Sequence, residues 1–160
     1  MTIKVGDKIP SATLHVVGPD GPQATTTEEL FSGKRVVLFA VPGAFTPTCS
    51  VQHLPGFVEK AEEIKSKGVD SIICLAVNDP FVMGAWGKDQ KVENKVQMVA
   101  DGSGTFTEAM GLTFDLTEKG LGKRSQRYSM LVEDGVVKVL NLEEAGAFEV
   151  SGADAMLRAL

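Results

Sequence analysis

Apolar residues cluster along this chain in patterns that predict alternating strands and helices. From Arg35 the run RVVLFAV continues without a polar break until Pro42, and a second run, SIICLAV, extends from Ser71 to Val77 before Asn78-Asp79-Pro80. Short β-branched runs with no alternation, bounded by turn formers, predict strands covered on both faces. Between them Phe57, Val58, Ala61 and Ile64 recur at helical spacing. Glu63 and Lys67 fall on the outer face as an i, i+4 pair, and Gly68 is placed to stop the helix as its C′ residue. Pro55 predicts a bend or restart, because an interior proline removes a backbone bond and crowds the preceding turn. Strand, helix and strand with short joints make a βαβ unit with a parallel pair.

Further on, the pattern predicts a short helix near 81–88, a strand at 96–100 and a small helix near 105–110. YSMLVEDGVVKVLNL (128–142) is two β-rich runs around Asp134-Gly135, a two-residue hairpin signal. Ser151-Gly152-Ala153-Asp154 then reads as a capping-box-like start for a last helix ending near Leu160. No repeat, linker or low-complexity tract interrupts the chain, so residues 1–160 are read as a single domain. The predicted fold is α/β: a three-layer sandwich, βαβ followed by ββα around a central mixed sheet, with an N-terminal extension. This order is analogous to the thioredoxin fold.

Composition narrows the functional classes. With 43% hydrophobic and 23% charged residues the chain has an ordinary globular make-up, and 160 residues suffice for a sizeable core. A net charge of -5 argues against nucleic-acid or acidic-membrane partners, which need a basic face. MTIKVGDKIP has no apolar signal core, and no apolar stretch reaches the ~20 residues of a membrane helix, so a cytoplasmic location is expected. The two cysteines, Cys49 and Cys74, are then expected as free thiols rather than a disulfide scaffold.

Cys49 is the sharper candidate. In α/β sheets functional groups collect beyond the carboxyl ends of strands, and VPGAFTPTC delivers Cys49 there, at the start of a helix. Unsatisfied N–H groups and the positive end of the dipole favour the thiolate in such a turn, so a depressed pKa is expected. Thr46-Pro47-Thr48-Cys49 has a hydroxyl where a C-x-x-C pair would have its first sulfur, which excludes exchange through adjacent thiols. His53, four residues later, can share the helix face of Cys49. A Cys-His hydrolase or half a metal site would use such a pair, but His15 and Cys74 stand alone, so His53 reads as a packing or hydrogen-bonding residue.

Pro42-x-x-x-Thr46-x-x-Cys49 matches the peroxiredoxin signature. VPGAFTPTCS, HLPGF, VNDPFVMGAW (77–86), ADGSGTFTEAMGL (100–112) and RSQRYSMLVEDG (124–135) resemble the type-II, peroxiredoxin-5-like subfamily along nearly the whole chain. The resemblance implies a thiol peroxidase acting on hydrogen peroxide and alkyl hydroperoxides, with no metal or organic cofactor. Cys49 would be the peroxidatic cysteine, oxidised to a sulfenic acid. Thr46 would bond the thiolate and peroxide through its hydroxyl, Pro42 would wall the pocket from water, and Arg127 would stand beside the sulfur. The residue-level alternative for Arg127 is one charge in a solvated basic stretch that also holds Arg124.

Lowering a thiol pKa from ~8.5 to ~6 raises its thiolate fraction ~30-fold at neutral pH but lowers its nucleophilicity ~13-fold, a net gain of about twofold. Most of the catalysis must therefore come from aligning the peroxide and stabilising charge as the O–O bond breaks.

Cys74 reads as a small buried hydrophobe at mid-strand, although plant relatives of this type make it a candidate resolving thiol. Meeting Cys49 would require Cα atoms within about 7 Å. The segment 143–154 holds no counterpart of the resolving cysteine of animal relatives, and a glutaredoxin domain like that of some bacterial relatives is not expected here. The implied reductant is an external thiol, glutaredoxin with glutathione or thioredoxin. Trp86, Phe45, Phe81 and Met83 read as core residues, some of which the resemblance places at a homodimer interface. Two rival functions are a redox sensor that relays Cys49 oxidation with little turnover, and the Cys-His hydrolase.

Overall fold

The computed structural model describes residues 2–160. Its strands are β1 Thr13–Gly18, β2 Gly21–Thr26, β3 Arg35–Ala40, β4 Ser71–Ala76, β5 Gln97–Ala100, β6 Thr113–Leu116, β7 Gly122–Ser125, β8 Tyr128–Glu133 and β9 Val136–Leu142. The α-helices are α1 Thr27–Phe31, α2 Leu54–Glu59, α3 Ala61–Ser66, α4 Pro80–Asp89, α5 Thr105–Met110 and α6 Ala153–Ala159. Seven strands form one sheet in the order β2-β1-β5-β4-β3-β8-β9, and β6-β7 is a separate hairpin.

The two apolar runs are the central strands β3 and β4, paired in parallel from Val36↔Ser71 to Ala40↔Leu75. Alternate residues of β3 enter opposite cores. Val37 and Phe39 pack with Leu54, Phe57, Ile64, Trp86 and Met156 on one face, while Val36 and Leu38 pack with Phe31, Phe106 and Met110 on the other. A strand buried on both sides has no place for a polar residue, which is why its sequence shows no alternation. The result is the expected three-layer sandwich around a mixed sheet, with β4-β5 also parallel and β3-β8 and β8-β9 antiparallel.

The hairpin at Asp134-Gly135 forms as expected, both residues having positive φ (48° and 78°), as the two central positions of a type I′ turn require. Gly68 stops α3 at φ 87°, its N–H bonded to the Lys65 carbonyl.

Other expectations change. The helix between β3 and β4 is not continuous: a π-helical turn spans Cys49–His53, α2 follows, and the chain breaks at Lys60 (φ -95°, ψ 6°) before α3. Pro55 lies at the start of α2, directly after the π turn, whose wider i→i+5 bonding makes room for a residue with no N–H to donate. Because α3 ends at Ser66, Lys67 is a cap rather than a helical residue. The only ion pairs among the described residues are accordingly Lys4–Asp7 and Arg35–Glu133, not Glu63–Lys67. The N-terminal extension folds into a β1-β2 hairpin and α1. Gly152, not Ser151, precedes α6 as its N-cap. The Ser151 hydroxyl donates instead to the Glu143 carboxylate at 2.7 Å, a charged acceptor and hence the stronger partner.

Candidate active site

Beyond the C-terminal end of β3 the chain turns through Pro42 to Thr46 and enters a helical segment. Three bonds hold this loop. The Ala44 N–H donates to Asn78 Oδ1 just after β4 (2.9 Å), Thr46 Oγ1 donates to the Gly43 carbonyl (2.7 Å), and Arg124 Nη1 donates to the Pro42 carbonyl (3.2 Å). Gly43 is required for the last of these, because a Cβ there would lie 2.6 Å from Arg124 Nη1. Phe45 takes a left-handed conformation (φ 64°), strained for a residue with a bulky side chain.

The π turn that follows is closed by an i→i+5 bond from the Leu54 N–H to the Cys49 carbonyl. The widened turn leaves Cys49 and His53 facing the same partner, Arg127, which directly precedes β8. Arg127 Nη2 donates to Cys49 Sγ at 3.1 Å and Nη1 donates to His53 Nδ1 at 2.8 Å. A guanidinium only donates, so Nδ1 carries the lone pair and Nε2 the proton, which goes to the Ser151 carbonyl at 3.0 Å. Burial and then the Arg127 charge push the His53 pKa down to about 3, so the ring is neutral at physiological pH. Phe39, Phe57 and Phe148 surround it, with ring centroids 4.9, 5.6 and 5.0 Å away, and Phe148 also lies 5.7 Å beneath the guanidinium.

Ser151 is fixed in its turn. The Glu143 carboxylate accepts the N–H groups of Glu149, Val150 and Ser151 (2.8–3.0 Å) and the Ser151 hydroxyl, while the Glu143 N–H donates to the Arg127 carbonyl at 3.0 Å. Burial alone would raise the Glu143 pKa; the bonds from Ser151 and the three amides outweigh it and hold the carboxyl below its usual range. Glu143, Ser151, His53, Arg127 and Cys49 thus form one connected chain of polar groups.

A pocket of ≈ 220 Å³ opens over this chain, lined among others by Pro42, Thr46, Pro47, Arg127 and Ala147. The structure therefore brings Cys49, Arg127, Pro42 and Thr46 to one place. Thr46 differs in detail from expectation, since its hydroxyl proton is directed to Gly43 rather than to Sγ. Arg124 is a loop brace rather than a solvated charge. Cys74 is at the centre of β4, fully buried, paired with Phe39 and Met98. Burial, then the nearby Cys49, push its thiol pKa far up. Both cysteines are free. Among the described residues no cluster of His, Cys, Asp or Glu could hold a metal ion, and no helix is long and apolar enough to cross a membrane.

The part of the site that sequence reasoning missed is the bracing behind Arg127. The C-x-x-x-H spacing signals a shared face for Cys49 and His53, but Glu143 and Ser151 meet through coil, which leaves no periodic trace. Both ring nitrogens of His53 are engaged away from the sulfur, so it does not serve as a base to Cys49 as a Cys-His hydrolase would need.

A buried thiol under a guanidinium, at a thioredoxin-like sheet corner, is the arrangement of a redox enzyme, and the comparisons agree. The chain belongs to the Redoxin family, which it matches over residues 4–157. It is a thiol-dependent peroxidase of the peroxiredoxin type. Peroxiredoxin-2B of Arabidopsis thaliana is 55% identical over 159 residues, covering 99% of this chain and 98% of the relative. Peroxiredoxin-2E, chloroplastic, from the same plant is 54% identical over 163 residues, covering 99% and 70%. Among solved structures, reduced Prx3 of Vibrio vulnificus in complex with hydrogen peroxide superposes with a TM-score of 0.95 at 50% identity, covering 99% of both chains.

Proposed function

We propose that Cys49 is the peroxidatic residue and that hydrogen peroxide and alkyl hydroperoxides are reduced there, with recycling by an external thiol. The observation that carries this reading is the 3.1 Å bond from Arg127 Nη2 to the buried Cys49 Sγ, with Arg127 itself lining a small pocket together with Pro42 and Thr46. A cation donating to sulfur stabilises the thiolate, and its planar fork has a second face to offer the oxygen that gains charge. The thiolate attacks one peroxide oxygen, the O–O bond breaks, and the other oxygen leaves as water or alcohol once protonated. Cys49 is left as a sulfenic acid. Thr46, its O–H donating a hydrogen bond to the Gly43 carbonyl, keeps lone pairs free to accept from the peroxide O–H, so its role is to orient substrate. Pro42 walls the site.

An incoming thiol then condenses with the sulfenic acid, releasing water and forming a mixed disulfide that a second thiol reduces. Glutathione with glutaredoxin, or thioredoxin, fits this role. Cys74 takes no part, because its side chain is fully buried in the apolar core that packs against one face of the sheet. The enzyme works as a homodimer in a reducing cytoplasm, the dimer formed by the face that carries Phe45 and Phe81.

Intact mass after one equivalent of hydrogen peroxide, without reductant, tests the scheme. Wild type and Cys74→Ser should each gain one oxygen and Cys49→Ser none. A loss of two hydrogens in wild type alone would make Cys74 the resolving thiol and overturn its inert assignment.

A further inference from the structure

We propose that His53 is a positioning residue for peroxide reduction, acting through Arg127 and itself held by the Ser151 carbonyl and the Glu143 carboxylate. The inference rests on Cys49 being the reacting thiol, and goes beyond it.

Arg127 has only one bond to the sulfur, and a guanidinium on a flexible stem can rotate about it. Its second terminal nitrogen is fixed at 2.8 Å by His53 Nδ1, so the plane of the fork is set by an imidazole that cannot turn. The ring cannot turn because its other nitrogen is bonded to Ser151, and three aromatic rings close around it. Ser151 cannot shift while Glu143 holds its N–H and hydroxyl, and Glu143 follows Arg127 closely enough to bond the arginine's own carbonyl. The loop of contacts is thereby closed on itself. A neutral acceptor suits this task better than a carboxylate, which would neutralise the cation and weaken its pull on the sulfur and the leaving oxygen.

The prediction is specific to peroxide. A misdirected guanidinium still leaves a nucleophilic sulfur but fails the oxygen that gains charge as the O–O bond breaks. His53→Leu should therefore lower the second-order rate constant of Cys49 with hydrogen peroxide by about 10-fold or more, while alkylation by iodoacetamide changes less than ~3-fold. His53→Gln, whose amide can accept from Arg127 and donate to Ser151, should recover much of the loss. In an Arg127→Ala background the same His53→Leu change should cost less than ~2-fold, since a residue acting through Arg127 has nothing left to position.

Equal losses in peroxide reaction and alkylation, or the same His53→Leu penalty with and without Arg127, would overturn the proposal. For protein that does not survive His53→Leu, the imidazole nitrogen NMR spectrum of wild type decides. An unprotonated Nδ1 that shifts in Arg127→Ala supports the bond, and an Nδ1–H tautomer refutes it. Cys49→Ser is the separate control: continued peroxide consumption there would remove the premise and leave the spectrum to judge the Arg127–His53 contact alone.

Discussion

Arg127 is half-buried, and it gives its charge to a thiol, an imidazole and an aromatic face rather than to a carboxylate. An arginine paired with an acid would be worth more to stability and less to the reaction. The neutral state of His53 is part of this arrangement and makes stability depend on pH. The folded ring titrates at about 3 and an unfolded one at ~6.5, so below pH ~6.5 the unfolded chain binds a proton that the native state refuses. Stability is therefore fully present above pH ~6.5 and falls as pH drops toward the folded value, by up to ~1.4 kcal/mol per unit from this group. Glu143, its pKa held low, adds a loss of the same sign at more acid pH. Urea unfolding at pH 7 and pH 5 should show the decrease in wild type, and His53→Gln should show a smaller one. An unchanged slope in the variant would mean that the ring does not titrate as described.

Cys49 could be singled out from sequence because it sits where a strand runs through a turn into a helix, whereas Pro42, Thr46 and Arg127 stood out only through the resemblance to the peroxiredoxin motif. Glu143 could not, since its partners are backbone amides of 149–151, in coil, with no pattern to identify them.

At the scale of elements, the π turn Cys49–His53 is what allows one arginine to reach both sulfur and imidazole. It stands directly before Pro55, whose ring would crowd a regular turn and whose nitrogen cannot donate, so the extra residue in the turn accommodates the proline. Pro55→Ala removes the reason for the wide turn. We expect it to change stability by no more than about 1 kcal/mol while lowering the peroxide rate constant several-fold, as α-helical hydrogen bonding pulls Cys49 and His53 out of line with Arg127. Stopped-flow oxidation together with urea titration separates the two; an unchanged rate would show that the turn is set by something other than Pro55. The central strands were legible as unbroken apolar runs between turn formers, and the Asp134-Gly135 hairpin by its turn residues. The β1-β2 hairpin was not, since Gly-Pro-Asp-Gly-Pro leaves too little alternation on either side. Nor was the break at Lys60, because the apolar spacing of Phe57, Ala61 and Ile64 runs straight across it.

In the whole molecule, two apolar cores sandwich the sheet, and the residues grouped as candidate core or interface divide cleanly. Trp86 and Met83 are buried, whereas Phe45 and Phe81 are 52% and 68% exposed. Phe45 leans toward Trp86 with ring centroids 6.4 Å apart, and the Trp86 N–H reaches Ser50 beside Cys49. Pairing copies through this face would cover large side chains that water now surrounds. Sedimentation should find a dimer in wild type and a monomer in Phe45→Asp/Phe81→Asp; a variant still dimeric would place the interface elsewhere.

The position of Cys74 has a further use. Its side chain is fully buried in the core between the sheet and the helical layer, so no thiol reagent can reach it without the centre of the fold coming apart. The chain thus carries its own clock for global opening: the slow labelling of a second thiol, after the first has reacted, counts unfolding events in the native protein under conditions where no denaturant is present.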